Sequence, residues 1–274
     1  VPPSPARLAA ISIYPVKACR ATPLQAATLG PHGLAGDREW MAIRPDGRFL
    51  SQRTHPALAR VVPTLTGSGL RLACDGLDPL AVDAASVLAG PVREVSVWDD
   101  RLEACDAGDA AAAWLSQATG TPARLVRVAA RHARRADRDY VGEREVPVAF
   151  ADGFPLLVCS TASLAELNRR LPADVPMDRF RPNLVLEGLP PFAEDGLRSL
   201  RIGAVRIALV KPCARCAVPG LDQHTGRAST DPFPALKAFR YDPSVRGVTF
   251  GVNAVAEGAP GARLEVGMAV ALDG

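Results

Sequence analysis

The chain has 274 residues, 48% of them hydrophobic, with 32 basic against 29 acidic side chains and a net charge of +3. That is enough for one large domain or two ordinary ones built around a proper apolar core. No apolar run nears the roughly 20 residues of a membrane-spanning helix, and so small a positive excess gives no ground for a nucleic-acid partner. The opening Val1-Pro2-Pro3-Ser4-Pro5 lacks the basic-then-apolar pattern of a secretory signal.

In chain order, short strands dominate. Leu8 to Tyr14 is β-prone around Ile11 and Ile13, and Trp40 to Ile43 and Arg48 to Ser51 flank the hairpin turn Pro45-Asp46-Gly47. Leu70 to Cys74 and Leu80 to Val82 flank a second Asp-Gly, and Val95 to Trp98 and Leu102 to Cys105 flank Asp99-Asp100. A helix is expected over Asp109 to Ser116, anchored by Trp114 and Leu115. Another opens at Ser160-Thr161, whose hydroxyls stand where a helix start needs caps, with Leu164, Leu167 and Leu171 at helical spacing. Leu184 to Leu186, Leu200 to Ile202 and Val205 to Val210 are further strands, Pro232 to Phe239 a third helix, and Leu264 to Leu272 a closing strand pair around Gly267. This pattern predicts an α+β fold that is mainly β, barrel- or sandwich-like, with few helices. The polar, arginine-rich stretch Arg131 to Val146 is the place for a linker or long loop between two units. Arg124, Arg127, Arg131, Arg134, Arg135 and Arg138 crowd its neighbourhood. They form either a solvated loop or a docking surface for an acidic partner.

Cys19, Cys74, Cys105 and Cys159 are scattered singly and read as small buried hydrophobes in a reducing, cytoplasmic compartment. Cys213 and Cys216 differ, because they flank Arg215 in Lys211-Pro212-Cys213-Ala214-Arg215-Cys216, ahead of the polar turn Leu221-Asp222-Gln223-His224-Thr225-Gly226. A cation beside a thiol favours the thiolate, which ligates soft metals. A structural zinc would need four ligands, and a thioredoxin-like pair would need a helix start. Inert thiols or single-thiolate ligation of a cofactor metal are the remaining readings. Three more polar clusters sit where irregular chain meets a strand: Tyr14-Pro15-Val16-Lys17-Ala18-Cys19-Arg20, Gly36-Asp37-Arg38-Glu39-Trp40 and Arg179-Phe180-Arg181-Pro182-Asn183. Lys17, Arg38, Arg181 and Arg215 would make a polyanion site if they converge, and ordinary surface salt bridges if they do not.

Taken together and in this order, these clusters resemble the MOSC proteins, specifically the group with an N-terminal MOSC β-barrel-like domain that includes YcbX-type proteins and mitochondrial amidoxime reducing components. The likeness runs from about Ile11 to Leu272. Tyr14 to Lys17 resembles the family's Y-P-V-K-S-C, Asp37-Arg38 with Trp40 its D-R-x-W, and Phe180 to Asn183 its F-R-P-N. Arg215-Cys216 with Asp222 and Thr225-Gly226 resembles R-C-x-x-T-x-V-D-P-x-T-G, and Phe250 to Asn253 a late F-G segment.

The resemblance implies two domains, over residues 6–130 and 131–274, and a molybdenum cofactor (Mo-molybdopterin) with Cys216 as its protein metal ligand. Cofactor-binding positions implied are Lys17, Ala18, Arg38, Ser160, Thr161, Arg181, Asn183, Arg215 and Asn253. Cys216 and Asp222 are the implied catalytic residues, and His224 is another candidate proton carrier, though both Asp222 and His224 also suit plain turn structure. The expected activity is reduction of a small N-hydroxylated substrate (amidoximes, hydroxylamines or N-hydroxy bases). Electrons would come from a separate donor, a flavoprotein or an iron–sulfur or haem protein, since no iron–sulfur domain follows Gly274. The alternative is a carrier of molybdenum cofactor or of sulfur without turnover. Pro219 and Gly220 replace two family threonines, Ala18 a serine and Gln223 a proline. These departures touch substrate range more than cofactor binding.

Overall fold

The computed structural model describes residues 5–129, 131 and 134–273. Val1 to Ser4, read above for a signal, lie outside them, as do Ala130 at the expected domain division and Gly274. The chain is mainly β with a few short helices, the α+β class expected. In β1 (Arg7–Ile13) Leu8, Ile11 and Ile13 are buried. Strict alternation breaks between Leu8 and Ala10, where the register shifts as at a bulge.

The remaining strands of the first half are β2 (Val16–Lys17), β3 (Thr22–Leu24), β4 (Ala26–Gly30), β5 (Gly33–Leu34), β6 (Trp40–Ile43), the meander β7 (Val62–Leu65), β8 (Gly69–Cys74) and β9 (Leu77–Asp83), then β10 (Val92–Val97), β11 (Asp100–Asp106) and β12 (Arg124–Val128). The second half adds β13 (Leu156–Ser160), β14 (Leu184–Glu187), β15 (Ser199–Ile202), β16 (Val205–Ala214), β17 (Tyr241–Asp242), β18 (Gly247–Glu257), β19 (Arg263–Glu265) and β20 (Val270–Asp273). The largest sheet runs β20-β15-β16-β18-β13-β14-β1-β3, with β17 paired to β18. A second runs β10-β11-β12-β6-β2.

This topology positions the site. β1 and β3 come from the start of the chain but complete a sheet of the second half, and β4 pairs with β19. Between β1 and β2 the chain crosses from one sheet to the other through Tyr14-Pro15, with Tyr14 1% exposed. Each sheet covers its own apolar core, one including Leu8, Ile11, Val158, Leu184 and Ile207, the other Val16, Trp40, Leu72, Leu115 and Leu125. Burial of such side chains from water is the dominant stabilising term.

Three expectations are corrected. The segment around Gly267 is not a hairpin: β19 pairs with β4 and β20 with β15, because Gly267 donates its amide to the Leu8 carbonyl and the chain turns away toward β1. Arg48 to Ser51 makes isolated bridges from Arg48 to Ser96 and from Phe49 to Ile43 rather than a strand. The arginine-rich stretch is not a bank of free charges, since Arg124, Arg127, Arg134, Arg135 and Arg138 are bound within the molecule. Arg124 pairs with Asp106 and Asp109, Arg127 with Glu39, and Arg135 and Arg138 with Glu145. Arg134 is buried, pairs with Asp100, and donates to the carbonyls of Ala149, Ala151 and Asp152. Among the described residues no helix is long and apolar enough to cross a membrane.

The helix starts behave as their sequence implies. Ser160 caps the helix Thr161–Asn168, its Oγ accepting from the Ser163 amide at 3.1 Å. All six cysteines are free; Cys19, Cys74, Cys105 and Cys159 are buried, Cys213 half-buried and Cys216 exposed. Burial pushes the Cys19 thiol up to about 12 and that of Cys159 well above its ordinary value, so neither forms a thiolate near neutral pH.

Candidate functional site

The four polar clusters converge on one cavity of about 360 Å³. Its wall carries Lys17 and Ala18 from the β1–β2 crossing, Arg38 from the approach to β6, and Arg181 and Asn183 from the entry to β14. Arg215 and Cys216 reach it from the end of β16 and Asn253 from β18. Eight of the residues singled out in the sequence therefore share one hollow, which lies where the chain changes sheets.

The backbone is strained there. Ala18, Arg38 and Arg181 have φ of 66°, 50° and 58°, left-handed values uncommon for residues with a Cβ. Such conformations persist only where surrounding structure over-determines them, and they cluster at functional sites. Tyr14 is the hub. Arg38 and Arg181 each lie over its ring, at 4.3 and 4.2 Å to the centroid, and its hydroxyl donates to the Pro182 carbonyl at 3.1 Å. Arg38 Nη1 donates to Asp37 Oδ2 at 2.6 Å and to Asn183 Oδ1 at 2.9 Å. Burial works against the Arg38 charge, but Asp37, Tyr14 and Asp152 together more than offset it and the pKa is raised. Arg181 has no such partner; its Nη1 donates to the neutral Gln223 amide at 3.0 Å, and burial lowers its pKa.

Lys17 is held low in the cavity. Its Nζ donates to the Phe150 carbonyl at 2.8 Å and pairs with Asp152 at 2.5 Å. Burial lowers its pKa although Asp152 pulls the other way. Asn183 is a brace as much as a wall: its Oδ1 also accepts from the Leu157 amide, and its Nδ2 donates to the Ser12 carbonyl. Arg215 Nη1 donates to the Sγ of Cys213 at 3.0 Å and Nη2 to the Phe180 carbonyl at 2.9 Å. Its guanidinium thus contacts the first thiol of the pair, while the second, Cys216, stands exposed on the wall.

Ser160, Thr161 and Asp222 are not brought to this wall. The Ser160 hydroxyl is fully buried at its helix start beside Ser163, and Glu194 covers the Ser160 amide. Thr161 is exposed on that helix. The Asp222 carboxylate closes a turn, accepting from the His224 and Thr225 amides and the Thr225 hydroxyl, and it faces Arg179 at 3.4 Å. That turn is seated by the first cluster: Arg20 donates to the carbonyls of Gln223 and His224. Gln223, the departure from the family proline, forms a reciprocal amide pair with Gln52 at 2.9 Å.

Sequence reasoning missed three wall residues that belong to no motif, Gln52, Arg53 and Asp152, and gave no role to Lys211, a wall cation inside the cysteine motif. The wall holds six cations, Lys17, Arg38, Arg53, Arg181, Lys211 and Arg215, against one carboxylate, Asp152. Among the described residues Arg53, Arg181, Lys211 and Arg215 have no carboxylate partner. The Nε of Arg215 is buried without a hydrogen-bond partner. Among the described residues no cluster of three or more His, Cys, Asp or Glu is placed to hold a metal. The donor set therefore fits an anionic group that brings most of a metal's ligands with it, with one protein sulfur available as a further donor.

Models of two families match the chain: the MOSC N-terminal beta barrel domain over residues 5–122 and the MOSC domain over 145–271. Mitochondrial amidoxime-reducing component 1 of Homo sapiens is 33% identical over 249 residues, 87% of this chain and 74% of that protein. Mitochondrial amidoxime reducing component 2 of Bos taurus is 32% identical over 86% of this chain and 73% of its own length. The molybdenum cofactor sulfurase of Danio rerio is 30% identical over 88% of this chain, which corresponds to 31% of that longer protein.

Proposed function

Because the chain belongs to the MOSC family, in the group that joins an N-terminal MOSC β-barrel domain to a MOSC domain, we propose that it is a molybdenum-cofactor-dependent reductase of N-hydroxylated compounds. The observation that carries this reading is the shared hollow: one exposed thiol, Cys216, on a wall whose cations outnumber its acids six to one. Two domains, meeting near residue 130, supply the two sides of that hollow. Cys216 would hold the metal as a thiolate, and Arg181, Arg215, Lys17, Arg38 and Lys211 would hold the pterin and its phosphate. Each cation about 4 Å from a phosphate oxygen contributes about 4 kcal/mol at an effective dielectric of about 20. The Ala18 backbone and the side chains of Asn183 and Asn253 complete the cradle.

When bound, the cofactor supplies two-electron chemistry that breaks an N–O bond. The net reaction of an amidoxime consumes two protons and two electrons and yields the amidine and water. The electrons come from a separate donor protein, and a reducing compartment such as the cytoplasm suits six free thiols. This chain's own residues do three things in it. They anchor the anionic group, exclude bulk water with Phe49, Phe154 and Phe180 on the same wall, and present the exposed thiol of Cys216 next to Arg215, whose guanidinium is fixed on Cys213 and the Phe180 carbonyl. Ser160, Thr161 and Asp222 act at one remove, through a helix start and a turn.

Elemental analysis of the purified protein for molybdenum, with a fluorescence assay for oxidised pterin, tests cofactor binding. Cys216→Ala is expected to drop amidoxime or N-hydroxyurea reduction at least about a hundredfold, as losing a metal ligand removes more than the 10- to 100-fold typical of its supporting contacts. Full activity without that sulfur would refute the reading. The likeness to a sulfurase supports a second reading, a carrier of cofactor or sulfur. Stoichiometric pterin without turnover, given reductant and several N-hydroxy substrates, would favour it.

A further inference from the structure

One wall residue works against the purpose of the rest. Asp152 is the sole carboxylate lining a cavity otherwise furnished for an anion, and a like charge near a phosphate costs what a cation there would gain. Its position is nevertheless built with care. The buried guanidinium of Arg134 donates to the carbonyls of Ala149, Ala151 and Asp152 itself, and is anchored to Asp100 at 2.6 Å. From the front, Lys17 Nζ and the Trp98 indole N–H, at 2.5 and 3.2 Å, both donate to the same oxygen, Oδ1. The side chain lines the cavity and remains 73% exposed. The surrounding walls disfavour its charge, but Lys17 and then Arg38 hold its carboxyl well below the usual carboxylate range. Neutralising Lys17 alone would not require such a brace, and both donors fall on Oδ1, with no hydrogen bond to the other oxygen among the described residues.

Aromatic surface adjoins it. Phe49 lines the cavity, Trp98 meets it edge-on with centroids 5.0 Å apart, and Phe154 lines the wall two residues beyond Asp152. Trp98 is itself held at a left-handed φ of 56°. A carboxylate with one free oxygen beside flat apolar faces is suited to a planar group that presents N–H donors on an aromatic body.

We infer that Asp152 is the substrate-anchoring residue of this pocket, receiving the N–H groups of an amidine- or guanidine-type head while Phe49 and Phe154 take the attached ring. The inference rests on the reductase reading for its substrate, and selects within it. Amidoximes and N-hydroxyguanidines, which carry an amino group beside the N–OH, are favoured over simple hydroxylamines, which do not.

Benzamidinium, a product-like probe, tests this by calorimetry and tryptophan fluorescence on the purified full chain, with and without loaded cofactor. Wild-type protein should bind it saturably, and Asp152→Asn should weaken binding about tenfold or more, as expected for losing a charged acceptor. Asp152→Glu should retain most of the affinity. Equal affinity in wild type and Asp152→Asn, or no binding by wild type, would overturn the inference. If Asp152→Asn does not fold, wild type decides alone: benzamidinium must bind about tenfold tighter than neutral benzamide of nearly the same shape, and equal binding would overturn the inference. Failure of the reductase reading would appear instead as absent molybdenum and absent turnover, with benzamidinium binding to the full chain unchanged.

Discussion

Two regions of this molecule are rich in arginine, and they use it in opposite ways. Along residues 124–138 the guanidinium groups are close in sequence and each described partner is internal: Asp106, Asp109, Glu39, Asp100 and Glu145. Around the cavity, Arg38, Arg53, Arg181 and Arg215 are far apart in sequence, and three of them lack a carboxylate partner among the described residues. Density of charge along the chain is thus a poor guide to charge available for binding. What counts is whether the fold brings acids to meet it.

That contrast can be tested by substitutions that should behave oppositely. The largest effect belongs to Arg134→Met. It removes a cation 5% exposed at its side chain and leaves Asp100 and several carbonyls without their donor. A loss of about 3 kcal/mol of stability is expected in urea melts, because the Ala149 and Ala151 carbonyls lose the donor that satisfies them inside the fold. No change in midpoint would mean that the brace is dispensable.

Next comes Asp106, buried between Arg93 and Arg124 with the Gly108 amide donating to it. Burial pushes its pKa up, yet the two arginines and the amide outweigh this and set it at about 2 in the folded chain. A carboxyl depressed in the folded state stabilises above its unfolded pKa, near 4, and loses that contribution as pH falls toward 2. About 2 kcal/mol should therefore vanish across that window. Comparing melts of wild type and Asp106→Asn at pH 6 and pH 2.5 checks it, since the gap between them should narrow at the lower pH.

Arg181→Met should do the reverse of Arg134→Met. Its charge is disfavoured by burial and has no acid to meet it, so removing it should leave the melting temperature of the empty protein unchanged or raised. Molybdenum and pterin content after gel filtration should fall at least about tenfold, since losing even half of one cation's roughly 4 kcal/mol exceeds one decade in affinity. A destabilised protein with full cofactor content would reverse the contrast drawn here. Smallest is Arg135→Ala, an exposed pair with Glu145, expected to shift stability by no more than about 0.5 kcal/mol.

Much of the fold could be read before the coordinates. Leu8, Ile11 and Ile13 mark a strand, Ser160 a helix start, and Asp75-Gly76 its hairpin, because these depend on neighbours within a few residues. The pairing of β1 with β14, and of β19 with β4, depends on partners more than 150 residues away, which no local pattern encodes. At the site, the motif residues Lys17, Arg38, Arg181, Arg215 and Cys216 were legible because their junctions are marked by Pro, Asp-Arg and Cys pairs. Asp152 was not, since an acid between Ala151 and Gly153 looks like any turn residue until Arg134 and Lys17 are seen on either side of it. Asp222 showed the opposite failure: a polar residue near the thiols whose carboxylate closes its own turn.

The crossing at Tyr14-Pro15 also constrains how the molecule is made. β1 leaves the ribosome long before its partner β14, which begins only at Leu184. That edge of β1 must wait unpaired until more than 170 further residues have followed. Such distant pairings slow folding and expose nascent chain to misassociation. Lys17 lies four residues beyond that waiting strand, so the binding hollow is completed among the last events of folding, when segments remote along the polypeptide finally meet.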